Sequence, residues 1–214
     1  MNLVAPDHVY FRSARFLLST PHFEELPRDD GIEIAVVGRS NVGKSSVLNA
    51  LCDQRGLART SRTPGRTQHV VVFELGMRRR LLDLPGFGYA AVGGETRERW
   101  ATDLPRVLHE RRGLCGLVLL ADARRPLGRE ELALAEGCAR RGLSIQLALN
   151  KADKLGRQAG LQALAAATAA MRGFGGDEAP LLVSAVMKVG IDRLRGALHA
   201  WYEAGLKEGP GLHA

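Results

Sequence analysis

The sequence predicts an α/β fold with a mostly parallel sheet. Three observations point there. The run "GIEIAVVG" (31–38) is compact, β-branched and closed by glycine, as a buried strand is. From residue 115 onward, strand-like and helix-like patterns alternate almost to the end of the chain. And 214 residues with 45% hydrophobic content can bury one sizeable core.

The elements follow in order. Residues 1–30 mix proline, charge and aromatics with no clean period. We read them as an N-terminal extension packing on the domain, with "FRSARFLLS" as a short helix. The main domain is expected over 31–205, with helical sequence from Lys44 to Leu51 after the first strand. Residues 53–68 are polar, contain Pro64 and Gly65, and read as a long exposed loop, a kind that is usually functional or unstructured. "HVVVFEL" and "RRRLLDL" flank "GM" and predict a hairpin.

Strands are then predicted at "CGLVLLADA" (115–123), "SIQLALN" (144–150) and "PLLVSAV", and an amphipathic helix over "REELALAEGCARR" (129–141). In the alanine-rich piece 157–172, Leu161, Leu164, Thr168 and Met171 recur at helical spacing, which predicts a helix packing that stripe. "IDRLRGALHAWYEAG" reads as a closing helix, and 206–214 as a flexible tail. There is no internal repeat.

Composition narrows the function classes. No apolar run reaches the ~18 residues of a bilayer span, and the N-terminus lacks the apolar stretch of a signal peptide. A cytoplasmic protein with no membrane partner is therefore expected. Three widely spaced cysteines (Cys52, Cys115, Cys138) argue for reduced thiols, against a disulfide framework or a zinc site. The net charge of +7 and pI of about 9.8 favour polyanionic partners such as RNA. The adjacent arginines, however, fall in scattered short runs (78–80, 111–112, 124–125, 140–141) rather than in one tail.

The motifs sit where a parallel sheet binds ligands, at the carboxyl ends of strands. "GRSNVGKS" (Gly38, Arg39, Ser40, Asn41, Val42, Gly43, Lys44, Ser45) matches G-x-x-x-x-G-K-[ST] between a strand and a helix. Its glycines let backbone N–H groups curl around phosphates at a helix N-terminus. Lys44 would reach the β- and γ-phosphates, and Ser45 would supply a hard oxygen to Mg²⁺.

In "DLPGFGYA", Asp83 and Gly86 read as a γ-phosphate sensor. "NKAD" (Asn150, Lys151, Ala152, Asp153) selects guanine. Asp153 can accept from N1–H and the 2-amino group, whereas adenine would leave that carboxylate desolvated and unpaired. Asn150 can tie the base to the phosphate loop, and Lys151 can lay its stem over the base plane. "VSA" (Val183, Ser184, Ala185) can offer backbone amides to guanine O6. Among Thr60, Thr63 and Thr67 in the long loop, one should give Mg²⁺ a second hydroxyl when a triphosphate is present, and local sequence does not choose which.

"GRSNVGKSS", "TPGRTQ", "DLPGFGYA", "DARRPL", "NKAD" and "VSA" occur in the order and spacing of the EngB (YihA/YsxC) family of bacterial GTPases, which the chain resembles over roughly residues 8–205. The resemblance implies a Ras-like P-loop GTPase domain with a six-stranded, mostly parallel sheet and helices on both faces. It also implies binding of GTP or GDP with Mg²⁺, slow hydrolysis, a role in assembling the large ribosomal subunit, and a requirement in cell division and septation. A monomer is expected.

By position, Ser45 and Thr67 become Mg²⁺ ligands, with Asp83 acting through water. Ser46 joins the phosphate contacts. Gly65, Arg66, Thr67, Gln68 and His69 become the ordered part of switch I, and Asp83, Leu84, Pro85 and Gly86 the sensor. Lys44, Thr67 and Gly86 would position and stabilise charge, and no general base is identified. Departures are small: Asn150 stands where the family more often has Thr, Val42 replaces a frequent Ala, and "VSA" replaces a Ser-Ser pair.

Phe87 follows Gly86 where many nucleotide switches place a glutamine that orients water. Phe87 resembles the hydrophobic residue of GTPases that use an asparagine at the Asn41 position to hold K⁺ beside the phosphates. That cation, or Arg66 as a rival, would stabilise developing charge. The alternative reading is a docking module that needs bound GTP, with hydrolysis incidental.

Overall fold

The computed structural model describes residues 9–58, 69–88, 104–174 and 178–208. Thr60, Thr63, Gly65, Arg66, Thr67 and Gln68 lie outside the described residues. A short helix α1 (Val9–Arg12) leads into β1 (Arg15–Thr20), β2 (Ile32–Gly38), α2 (Lys44–Leu51), β3 (Val70–Glu74) and β4 (Arg79–Asp83). After helical residues 104–110 (α3) come β5 (Leu114–Asp122), α4 (Arg129–Arg141), β6 (Ser144–Asn150), α5 (Arg157–Met171), β7 (Leu181–Leu182) and α6 (Ile191–Glu208).

The strands form one sheet in the order β1-β3-β4-β2-β5-β6-β7. The β4–β2–β5–β6–β7 pairings are parallel, while β1–β3 and β3–β4 are antiparallel. Every residue of β2 is buried because both faces of the sheet are covered. Ile34 and Val36 point to one side, against Val47 and Leu51 of α2 and Leu194 and Leu198 of α6. Ala35 and Val37 point to the other, against Val107 of α3, Ala135 and Cys138 of α4 and Ala167 of α5.

The sheet has seven strands rather than the six expected, and the addition is β1. Of the segment read as a short helix (11–19), only Phe11 and Arg12 are helical, at the end of α1, and Arg15–Thr20 pairs with β3 instead. Its sequence hid this because β1 is an edge strand with a register shift between Phe16 and Leu18. Phe16 and Leu17 stay exposed, so no clean alternation is written into it. Phe11 and Ala14 nevertheless join the core, and Gln54 Nε2 donates to the carbonyls of Arg12 (2.7 Å) and Ala14 (2.8 Å).

The hairpin between β3 and β4 closes through Gly76, Met77 and Arg78, all at positive φ, so it is one residue longer than "GM" suggested. Helix α5 packs only half of the expected stripe, Leu164 and Met171. Gly160 and Ala167 are buried, with Ala163, Leu164 and Met171 beside them, whereas Leu161 and Thr168 are exposed. Small residues let this helix approach the sheet closely, and a search for large apolar side chains misses that. β7 is only two residues long, although Val183 N–H still donates to Leu149 O at 2.9 Å. Helix α6 continues through Glu208, past residue 205, with Leu206 packed on the core.

At the amino ends of the parallel strands lies a buried ion network. Glu33 of β2 is fully buried and accepts from Arg111 Nε at 2.8 Å and from Arg80 Nη1 at 3.3 Å. Arg111 also donates to Pro27 O (3.0 Å), and Asp29 accepts from Gly113 N–H (2.8 Å), which pins the 27–31 segment under the sheet. Cys52, Cys115 and Cys138 are free and buried, and burial pushes each thiol up to about 12. Among the described residues no helix is long and apolar enough to cross a membrane.

Candidate nucleotide-binding site

The site is assembled at the carboxyl ends of β2, β4, β5 and β6. Leaving β2 at Gly38, the chain turns through Asn41 (φ 63°) and Gly43 (φ 96°) before α2 begins at Lys44. Left-handed backbone at these two positions curls the loop so that successive N–H groups can face an anion above the α2 N-terminus. Gly43 is required twice over, because a Cβ there would also stand 2.5 Å from Asn150 Nδ2. Val42 is buried and seats the loop on the core.

Lys44 and Asp83 pair directly, with side chains 10% and 4% exposed. Burial pushes the Asp83 carboxyl up from its ordinary value, and the Lys44 ammonium opposes that. The segment after β4 is bonded to the phosphate loop: Phe87 N–H donates to Gly38 O (3.2 Å), and Ser40 N–H donates to Phe87 O (2.9 Å). A Cβ on Gly86 would lie 3.2 Å from Ser40 N and 3.3 Å from Gly38 O, so a side chain there would push on the phosphate loop by a few tenths of an ångström. Leu84 and Pro85 are buried, and the Phe87 side chain packs against the α4/α5-side core.

The segment expected to read the base is wired to the same loop. Asn150, at the end of β6, donates from Nδ2 to Val42 O at 2.9 Å, and its Oδ1 accepts from Ala185 N–H at 3.4 Å. Lys151 is left-handed (φ 67°) and sends Nζ to Asn41 O (2.8 Å) and to Asp122 Oδ2 (3.0 Å). Asp153 accepts from Ser184 Oγ at 2.7 Å, and that bond is the main reason its carboxyl lies below the ordinary value. Ser184 Oγ also accepts from Met187 N–H (3.1 Å), while Ala152 N–H donates to Val183 O (3.1 Å). The "VSA" hydroxyl therefore serves both a local turn and the Asp153 carboxylate.

The structure thus brings together residues 38–46, 83–86, 150–153 and 183–185. Ser45 and Ser46 are half-buried on the first turn of α2. His69 is exposed at the start of β3, its Nδ1 hydrogen-bonded to Ser19 Oγ at 3.2 Å. Gly65, Arg66, Thr67 and Gln68 lie outside the described residues. Among the described residues no cluster of three His, Cys, Asp or Glu side chains forms a metal cage. The expected donors are of another kind: hydroxyls and one buried carboxylate, a hard-oxygen set that suits Mg²⁺ shared with phosphates.

Two ion pairs at the site escaped the sequence reading. Arg39 donates to Glu130 Oε2 at 2.6 Å, joining the phosphate loop to the start of α4. Asp122, last residue of β5, is gripped by Arg124 through Nε to Oδ1 (2.8 Å) and Nη2 to Oδ2 (2.7 Å). The Arg124 side chain, burial and then the Lys151 contact shape its acidity, and the carboxyl sits well below the usual carboxylate range. "DARRPL" carried the signal, but nothing in its spacing assigns Asp122 a partner.

Residues 33–151 match the family described as a 50S ribosome-binding GTPase. The chain is 44% identical over 195 residues to the probable GTP-binding protein EngB of Nitrosococcus oceani, spanning 91% of this chain and 98% of that protein. It is 41% identical over 202 residues to the protein of that name from Escherichia coli O1:K1 / APEC, spanning 94% of each. Among solved structures, a probable GTP-binding protein engB superposes with a TM-score of 0.66 at 20% identity, over 80% of this chain and 99% of that one. A bacterial selenocysteine-specific elongation factor superposes at 0.60 and 19% identity, over 82% of this chain and 29% of that one. At such identities the superpositions speak for the fold alone.

Proposed function

Since the chain belongs to the EngB family of GTPases, we propose that it is a slow, Mg²⁺-dependent GTP switch that acts on the large ribosomal subunit or its precursor and is needed for normal cell division. One observation carries the nucleotide part. Asn150 and Lys151, from the base-selecting segment, both hydrogen-bond phosphate-loop carbonyls, so base and phosphates would be read by one connected unit. Asp153, oriented by Ser184, is the guanine reader. Lys44 is the phosphate ligand once a nucleotide draws it from Asp83.

Mg²⁺ would be held by Ser45 and Thr67, with Asp83 behind a water, and when bound it neutralises phosphate charge. The buried Asp83 carboxylate, whose countercharge among the described residues is Lys44, is a group that a cation would stabilise. The net charge of +7 supports docking on a phosphate-rich particle, and the matched family's description supports the 50S subunit as that particle. GTP would order the two switch segments for docking, and hydrolysis would release them.

Co-sedimentation with 30S and 50S particles, in GTP analogue or GDP, tests this. We expect binding to 50S material only with the analogue, weakening steeply with salt. Equal association in both nucleotides would defeat the switch, and a salt-insensitive affinity would point to protein-only docking.

A second reading has a specific observation behind it. Phe87 faces apolar core and holds the phosphate loop through its backbone, which suits a docking module in which hydrolysis is incidental. A hydrolysis-dead variant that still supports subunit assembly would favour that module over the timer.

A further inference from the structure

We propose that Asp122 is a positioning residue for guanine-nucleotide retention: braced by Arg124, its carboxylate holds the Lys151 ammonium against the phosphate loop before a nucleotide arrives. The proposal rests on the guanine-nucleotide reading above and adds to it a residue that contacts no expected nucleotide atom.

The geometry begins in the sheet. Asp122 and Asn150 are directly paired residues of β5 and β6, and Ala123 N–H donates to Asn150 O at 2.8 Å. This fixes the carboxylate beside the residue that follows Asn150, which is Lys151. Both Asp122 oxygens are engaged by Arg124 in a fork geometry, and Arg124 N–H adds a bond to Oδ1 at 3.1 Å. A forked guanidinium fixes orientation as well as charge, so Oδ2 is aimed rather than free to rotate. Lys151 Nζ meets that oxygen at 3.0 Å and Asn41 O at 2.8 Å.

Two costs make such an anchor useful. A lysine side chain surrenders up to ~2 kcal/mol of rotamer freedom when ordered. Lys151 also holds a left-handed backbone, which disfavours a residue with a Cβ by ~1 kcal/mol. Settling both before binding leaves the nucleotide to meet a preformed wall instead of ordering one. With Asp122 removed, the ammonium keeps, among the described residues, the neutral Asn41 carbonyl, and a charge-assisted bond is about twice as strong as a neutral one. Asp122 and Lys151 are 13% and 29% exposed, so solvent screens the pair only in part.

Release of a fluorescent GDP analogue from the full chain provides the test, in a cycle of wild type, Asp122→Ala, Lys151→Ala and the double variant. Release from Asp122→Ala is expected on the order of tenfold faster than from wild type. If Asp122 acts through Lys151, the double variant releases no faster than Lys151→Ala alone. Asp122→Asn, which keeps an acceptor oxygen, should fall between wild type and Asp122→Ala.

A wild-type rate in Asp122→Ala, or effects that multiply across the cycle, overturns the proposal. Should Asp122→Ala fail to fold, Asp122→Asn takes its place in the same cycle, with the same criterion of non-additivity, and a wild-type rate again overturns it. A wild-type protein that retains neither GDP nor GTP overturns the guanine reading and this proposal together. A wild-type protein that holds GDP while the cycle is additive overturns the proposal alone.

Discussion

Lys44 and Asp83 form a direct ion pair beneath the phosphate loop, joining the first residue of α2 to the last residue of β4. Each is a nucleotide-site residue by motif, and each is the other's countercharge. Lys44→Ala should therefore do more than weaken GTP binding. It leaves a buried carboxylate uncompensated, for which about 3–5 kcal/mol of lost stability is expected. Lys44→Ala/Asp83→Asn should recover much of that loss, because no charge is then stranded. Denaturant unfolding of the nucleotide-free protein measures both.

Asp153 is the proposed guanine reader, and Ser184 Oγ holds its carboxylate at 2.7 Å. Asp153→Asn places an N–H donor where the guanine 2-amino group would donate, and xanthine offers a carbonyl there. GTP affinity is expected to fall by at least about a hundredfold, with xanthosine triphosphate gaining. Competition binding among GTP, XTP and ATP reads this directly. Unchanged GTP affinity would remove Asp153 from base recognition.

The Glu33–Arg111 pair lies at the other end of the sheet and should affect stability without touching nucleotide. Arg111→Ala strands a fully buried carboxylate, since Arg80 remains only as a 3.3 Å partner, and about 3–5 kcal/mol of destabilisation is expected. Arg111→Met/Glu33→Leu should be far milder, because no buried carboxylate is left and Arg80 keeps Asp30 at 2.8 Å. The midpoint of urea unfolding checks the order of the two.

Asp122 gives a pH dependence with a definite sign. Its folded carboxyl titrates below its unfolded value, chiefly because of Arg124. The unfolded chain therefore takes up its proton first as pH falls. The contribution is fully present above the ordinary aspartate value of about 4 and disappears as pH drops through the lowered folded value. Wild-type stability should fall more steeply between about pH 5 and pH 3 than that of Asp122→Asn, measured by thermal unfolding across that range. Parallel curves would mean that the pair contributes nothing.

Catalysis without a glutamine can be tested at Asn41, which is exposed, left-handed and one residue before Val42. If K⁺ stabilises developing charge there, turnover in KCl should exceed that in NaCl at matched ionic strength by roughly tenfold or more. Asn41→Ala should erase the difference. Equal turnover in the two salts would turn attention to Arg66, and Arg66→Ala assayed on ribosomal particles would address it.

Much of the site was legible because its residues are consecutive. Loops such as "GRSNVGKS" and "NKAD" carry their chemistry in local spacing, and β2, α2, α4 and β6 announce themselves through burial on two faces or by a regular amphipathic stripe. Local sequence thus carried the α/β class and the phosphate-loop motif, and it marked Asp153 as the proposed guanine reader. Strand pairing and packing are what made β1 an edge strand, set α5 on Gly160 and Ala167, and put Asp122 beside Lys151. These are relations between segments about 30 or more residues apart, or packing by side chains too small to register as hydrophobic. A one-dimensional pattern records which groups are available. Which of them become neighbours is settled by strand order and register, and that is how an aspartate at the end of β5 comes to stand beside the lysine that follows β6.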